Sequence, residues 1–175
     1  SVFNHVDFLN IMAYDGGSPH ANHDWSINAV NGWKARGLPA SKAIVGVPFY
    51  SRPGYYTYTQ LVGMDPANAN RDCTTVGGAQ QCYNGVPTVK RKTQWAMANA
   101  GGMMNWELTQ DTGGSTSLVS AIYDTVMGGS PPPTGRTWSS FPTGSRLRDP
   151  GRWNMPPRPP GKTGSGWPHS KRNSC

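Results

Sequence analysis

Phe8-Leu9-Asn10-Ile11-Met12-Ala13-Tyr14, closed by Asp15, is the stretch on which the reading of the fold turns. The run is short, apolar and rich in strand formers, and side chains alternate faces along a strand. Leu9, Ile11 and Ala13 then face covering helices, while Asn10, Met12 and Tyr14 share the opposite, interior face. A polar amide and a phenol on that face, toward the C-terminal end of a parallel strand, are costly unless paired or put to use. In a (β/α)8 barrel that end is where active sites are built. On spacing alone the plainer alternative stays open: a hydrogen-bonded tyrosine and an ordinary aspartate at a strand end.

Outward from this strand, elements alternate. Residues 25–36 read as a helix, with Asp24 as N-cap and Gly37 just past its end. Residues 43–50 (AIVGVPFY) form a second strand with the β-branched content of a buried parallel sheet. Residues 51–87 read as one long irregular segment, a kind of loop that is usually functional. A helix over 89–100, a strand over 102–106 and an amphipathic helix over 115–127 complete the order, punctuated by the glycine pairs 101–102 and 128–129. Strands alternating with helices argue for an α/β fold whose parallel strands are joined by crossover helices. The chain opens on Ser1 without an initiator Met and is almost at once in a strand, so a fragment of a longer protein is expected.

Composition changes abruptly after residue 128. Residues 129–175 hold ten of the sixteen prolines and three tryptophans, but no Ala, Val, Ile, Tyr, Glu or Gln. Such a stretch buries no core of its own and is expected to be a disordered Pro/Gly/Arg-rich tail behind a stiff linker at 130–134. Two readings compete for it. One is a damaged carbohydrate-binding module with Trp138, Trp153 and Trp167 as stacking residues; the other, which we favour, is an out-of-frame translation.

The net charge of +7 invites a nucleic-acid reading, but the charge is misplaced for one. Residues 1–128 carry eight Lys/Arg against eight Asp/Glu, so the body is neutral and the excess lies in the tail. A neutral body has no general phosphate footprint, and no specific nucleic-acid partner is expected. No run approaches the roughly 20 apolar residues of a membrane span, so no membrane partner is expected either. Cys73 and Cys82 bracket a short polar, Gly-containing loop at a spacing able to close a disulfide, which would suit an exported protein; two unpaired thiols are the alternative. The histidines offer one close pair, His20 and His23, without carboxylates or thiols at ligand spacing, so no metal is expected.

Four collinear motifs now resemble one family. Met12-Ala13-Tyr14-Asp15 is similar to the sixth-strand motif of family 18 chitinases, and Gly46-Val47-Pro48-Phe49-Tyr50-Ser51-Arg52 to the seventh-strand signature. Gly101-Gly102-Met103-Met104-Asn105-Trp106-Glu107, followed by Gln110-Asp111, resembles the eighth-strand signature. Tyr83-Asn84-Gly85-Val86-Pro87-Thr88 looks like the segment before the penultimate helix in a bacterial branch. The resemblance covers residues 1–128 and implies the last three βα units of a (β/α)8 TIM barrel, from a secreted, monomeric enzyme that needs no cofactor.

It also implies a chemistry, the retaining hydrolysis of β-1,4-linked N-acetylglucosamine with the substrate's own acetamido oxygen as nucleophile. Tyr14 matches the tyrosine that hydrogen-bonds the acetamide, Asp15 a carboxylate that binds the sugar, and Trp106 the indole floor beneath it. Met12 would line the pocket wall, and Tyr50 and Arg52 the rim on the aglycone side, although a structural ion pair is the plainer role for Arg52. The family's catalytic acid is the Glu of an Asp-x-x-Asp-x-Asp-x-Glu run, and no such run occurs in the chain. The expectation is a chitinase fragment that is inactive alone and, with two open sheet edges, poorly folded alone. The alternative is a chitin-binding lectin of the same fold. Two departures from the signatures stand out: Ser51 in place of Gly, and Asn105 in place of an apolar residue on the helix-facing side of its strand.

Overall fold

The computed structural model describes residues 1–128; the linker and tail readings for 129–175 lie outside it. The described chain runs β1 (Leu9–Ile11), α1 (His23–Lys34), β2 (Ala43–Pro48), α2 (Tyr58–Met64), β3 (Cys73–Val76), β4 (Ala79–Cys82), α3 (Val86–Asn99), β5 (Gly102–Trp106) and α4 (Leu118–Val126). Strands β1, β2 and β5 form one sheet in that order, all parallel.

Register assigns the two faces. Ile11, Val45 and Met103 align across the sheet, as do Asn10, Ile44 and Gly102 one step earlier. The face carrying Ile11, Ala13, Ala43 and Val45 is buried against Val30 of α1 and Ala96 of α3. Full burial of the Ile and Val side chains among them is worth about 1.5–3 kcal/mol each, and this packing fixes the alternation read from the sequence. On the opposite face Asn10 and Met12 are exposed, Met12 at 70%, and Trp106 is 55% exposed. Gly46 also lies on that face: an added Cβ would stand 2.5 Å from the Ile11 carbonyl oxygen and 2.9 Å from the Tyr14 ring.

Several elements differ from the sequence reading. The first two strands are shorter than expected, because the chain leaves the ladder after Ile11 and after Pro48. Helix α1 starts two residues earlier than expected, since its N-cap is Asn22, whose side chain accepts from the Trp25 N–H at 2.9 Å; Asp24 falls in the first turn instead. Asn105 aligns with Val47 on the helix-facing side but is only half-buried, and it is not among the buried polar atoms left unpaired. The cost of a fully buried, unpaired amide, about 1–3 kcal/mol, therefore does not arise in full.

The largest correction concerns residues 51–87, which are ordered structure. Thr57 and Gln60 form a reciprocal capping box that starts α2. Tyr58, Leu61, Val62 and Tyr83 then pack with Val47, Phe49, Val89 and Leu118 in a second core. Strands β3 and β4 form an antiparallel hairpin that places Cys73 opposite Cys82, and the two are joined in a disulfide. At its tip Gly77 and Gly78 take positive φ angles of 59° and 81° with open space around them. The hairpin has a weak sequence signature, because Cys-Thr-Thr-Val and Ala-Gln-Gln-Cys lack apolar alternation and the Gly-Gly pair alone marks the turn.

Two outcomes follow. Gly46→Ala is expected to lower the unfolding free energy by about 1–3 kcal/mol, read from urea titrations by far-UV circular dichroism; an unshifted midpoint would show that the Ile11 carbonyl and the Tyr14 ring both yield without cost. Reducing the disulfide frees a span of nine residues and is expected to cost roughly 2–3 kcal/mol, with new proteolytic cuts confined to residues 73–82. Cuts spread over the whole chain would contradict that local role.

Candidate functional site

The motif residues converge where β1 and β2 end. After Ile11 the chain turns, and Asp15 adopts φ 62°, in the left-handed region that a side chain other than Gly occupies at a cost of about 1–2 kcal/mol. This backbone turns the Asp15 carboxylate toward the residues that follow β2. Its Oδ1 accepts from the Tyr50 hydroxyl at 2.5 Å and from Arg52 Nε and Nη2 at 3.0 and 2.7 Å. Burial alone would raise the pKa of Asp15, but hydrogen bonds from Tyr50 and Arg52 and the Arg52 charge outweigh it and hold the carboxyl below its ordinary 3.8. Burial, then the Asp15 contact, pushes Tyr50 well above the usual tyrosine range, so its proton stays in place.

Tyr14 lies beside this clamp. Its ring is 7% exposed and meets Tyr50 edge to face at 6.4 Å, with Ala21 and Met104 completing a small cluster. Among the described residues its hydroxyl has no hydrogen-bond partner, and burial followed by the Asp15 charge raises its pKa. It is a protonated donor held in a rigid ring. Trp106 ends β5 on the same inner face, in register with Pro48. Met12 stands two residues before Tyr14 on that face. The site thus brings Tyr14, Asp15, Tyr50 and Arg52 together, while Met12 and Trp106 share the face without entering the clamp.

Three features were not legible as site residues. Tyr55, with φ 57°, lays its ring 3.8 Å from the Arg52 guanidinium and stacks near Tyr50. His20, 6% exposed, accepts the Asp15 N–H at Nε2 (3.1 Å) and sets Nδ1 3.3 Å from the Cys82 carbonyl oxygen. Lys92, 1% exposed, donates to the Ala21 carbonyl oxygen at 2.6 Å and to Asn84 Oδ1 at 2.7 Å, and burial pulls its pKa down to about 7. The one sequence signal for His20 is its place in the Gly-rich turn after Asp15.

The disulfide hairpin braces the site from behind. Arg52 and Cys82 exchange two backbone hydrogen bonds, each 2.9 Å. Gln81 Oε1 accepts from Gly54 N at 2.6 Å and from Ser51 Oγ at 3.3 Å, so the serine in place of glycine stitches the loop to the hairpin. A pocket of about 300 Å³ opens beside the clamp, lined by Asp15, Gly16, Gly17, His20, Arg52 and Pro53.

Charged Asp15 is what Arg52 and Tyr50 stabilise. The clamp is therefore complete above the ordinary carboxylate range and is lost as pH falls through the depressed pKa. In a carboxyl carbon-13 titration Asp15 is expected to turn below 3.8, and Arg52→Ala to move its midpoint upward; equal midpoints would show that the ion pair contributes nothing.

Comparison with known proteins gives this arrangement its place. The GH18 chitinase ChiB of Flavobacterium johnsoniae superposes with a TM-score of 0.62 at 33% identity, over 70% of this chain and 43% of that one. Chitinase 1 of Aphanocladium album is 25% identical over 67% of this chain and 39% of its own length. A plant class V chitinase mutant of Cycas revoluta, solved in complex with (GlcNAc)3, shares the fold at 18% identity with a TM-score of 0.59, over 71% of this chain and 48% of that one. The chain thus spans less than half the length of each. The family model for glycosyl hydrolases family 18 matches residues 1–111, the stretch that holds all four motifs, and the chain belongs to that family.

Proposed function

We propose that this chain is the C-terminal part of a bacterial, secreted chitinase barrel, its last three βα units, and supplies one wall of a cleft for β-1,4-linked N-acetylglucosamine. The observation that carries this reading is the unengaged Tyr14 hydroxyl, held on the inner face of the sheet beside a carboxylate already clamped by Tyr50 and Arg52. A sugar acetamide needs a fixed donor to hold its oxygen beneath the anomeric carbon, and Tyr14 provides one. Asp15 contributes negative charge next to the centre where positive charge develops, and its free Oδ2 is available to a sugar or acetamide N–H. Trp106, with more than half its surface open, offers an apolar floor for a pyranose face.

The general acid is the missing part. Glu107 is the sole glutamate of the chain, and its Oε1 accepts from Thr109 at 2.7 Å. General acid–base assistance is worth about 10²–10⁴ in rate, so the chain alone is expected not to hydrolyse. Its clefted face and both sheet edges then await five further βα units that bring the acid.

The experiment pairs two preparations. The chain alone, given (GlcNAc)3 and (GlcNAc)6, is expected to show no hydrolysis. Co-expressed with the first five βα units of a family 18 barrel carrying the acid run, it is expected to restore hydrolysis with retention of anomeric configuration. In the restored enzyme Trp106→Ala should weaken (GlcNAc)3 binding by about tenfold. Hydrolysis by the chain alone would overturn the missing-acid reading, and a folded but sugar-blind assembly would overturn the site.

A further inference from the structure

Among the described residues His20 is the one buried imidazole at the site, and each ring nitrogen has a fixed partner of opposite kind. The Asp15 backbone N–H can only donate, so Nε2, 3.1 Å away, must accept. The Cys82 carbonyl can only accept, so Nδ1, 3.3 Å away, must carry the proton. The geometry therefore selects one neutral tautomer. Burial, above all, disfavours the imidazolium, and the nearby Arg52 and Lys92 charges add to that; the Cys82 carbonyl and the Asp15 charge oppose it. The other group packed on the ring is Tyr50, 5.5 Å away between centroids.

The two ends of the ring touch what the site most needs held. Asp15 is the residue in left-handed backbone whose carboxylate anchors Tyr50 and Arg52. Cys82 is the hairpin residue whose carbonyl also accepts from the Arg52 N–H. We propose that His20 is a positioning residue: its neutral ring is a strut between the Cys82 carbonyl and the Asp15 amide that keeps Asp15 aimed at Tyr50 and Arg52. The strut ties both members of the clamp to the disulfide-closed hairpin. This deepens the sugar-site reading and rests on it only for the binding consequence.

A protonated ring carries N–H at both positions and no longer accepts from the Asp15 amide. Its Nε2 lies 3.8 Å from Asp15 Oδ1, so protonation exchanges a backbone anchor for a contact with the carboxylate itself. Sugar affinity should therefore fall on the acid side as His20 titrates, separately from the lower-pH loss set by Asp15.

The test needs no variant at first. Imidazole nitrogen-15 spectra of the 175-residue chain should show His20 as the neutral form protonated at Nδ1; a ring protonated at Nε2 would overturn the strut. Variants then separate its two ends. His20→Gln can place a carbonyl oxygen where Nε2 stood, whereas His20→Asn reaches only the Nδ1 position. Hydrogen-exchange protection of the Asp15 amide should persist in His20→Gln and fall about tenfold in His20→Asn, the effect of one buried hydrogen bond. Affinity for (GlcNAc)3 should follow the same split. Protection of the Asp15 amide undiminished in His20→Asn would overturn the proposal. If protection splits as expected while the assembly with the first five βα units ignores (GlcNAc)3, the strut stands and the sugar reading falls.

Discussion

The pairing of β2 on both of its sides is the constraint from which the rest of the molecule follows. It holds β1 on one edge and β5 on the other, in registers that fix which side chains face inward. Its outward residues feed two cores at once, Ala43 and Val45 one of them and Val47 the other. Its single inward glycine leaves the space that the Tyr14 ring crosses. The chain then runs from its end directly to Tyr50 and Arg52. The site is thus a continuation of the central strand, and its geometry is as rigid as the ladder behind it.

Much of this was legible because buried parallel strands announce themselves. Residues 43–50 carry β-branched and aromatic side chains with no charge, and the alternation of 9–14 puts Tyr14 on the face where its ring meets Gly46. What stayed hidden had short-range polar causes. The cap of α1 went to Asn22 rather than Asp24, a contest between neighbouring polar residues that hydrophobic period cannot settle. The hairpin at 73–82 is held by a disulfide and by Gln81, Ser51 and Arg52 hydrogen bonds more than by apolar faces. Helix α2 had a capping box in plain view, yet the surrounding Tyr, Gly and Asn residues read as loop.

Buried polar groups explain why the turn after β1 has one shape. The Ala21 carbonyl oxygen accepts from both Lys92 and Asn84, and Ser26 Oγ donates to the Ala13 carbonyl at 2.9 Å. Each bond is modest, but leaving any partner dry and unpaired costs more than the bond gains. The turn that carries Asp15 and His20 is therefore fixed from helices α1 and α3 as well as from the hairpin. This is a network with few alternative arrangements, and sequence patterns built on apolar period contain no trace of it.

The Gly77-Gly78 tip has a meaning for how the fold tolerates change. All contacts by which the hairpin serves the site lie at its base, at Gln81, Cys82 and the disulfide. The two glycines lie at the other end, where a side chain added at either would meet no atom within 4 Å. Only the turn beyond Val76, which rests on the second core, is free to vary in length without disturbing what the hairpin holds. The tip is consequently a natural seam, a point where residues can be added, labelled or exchanged while the cleft keeps its shape.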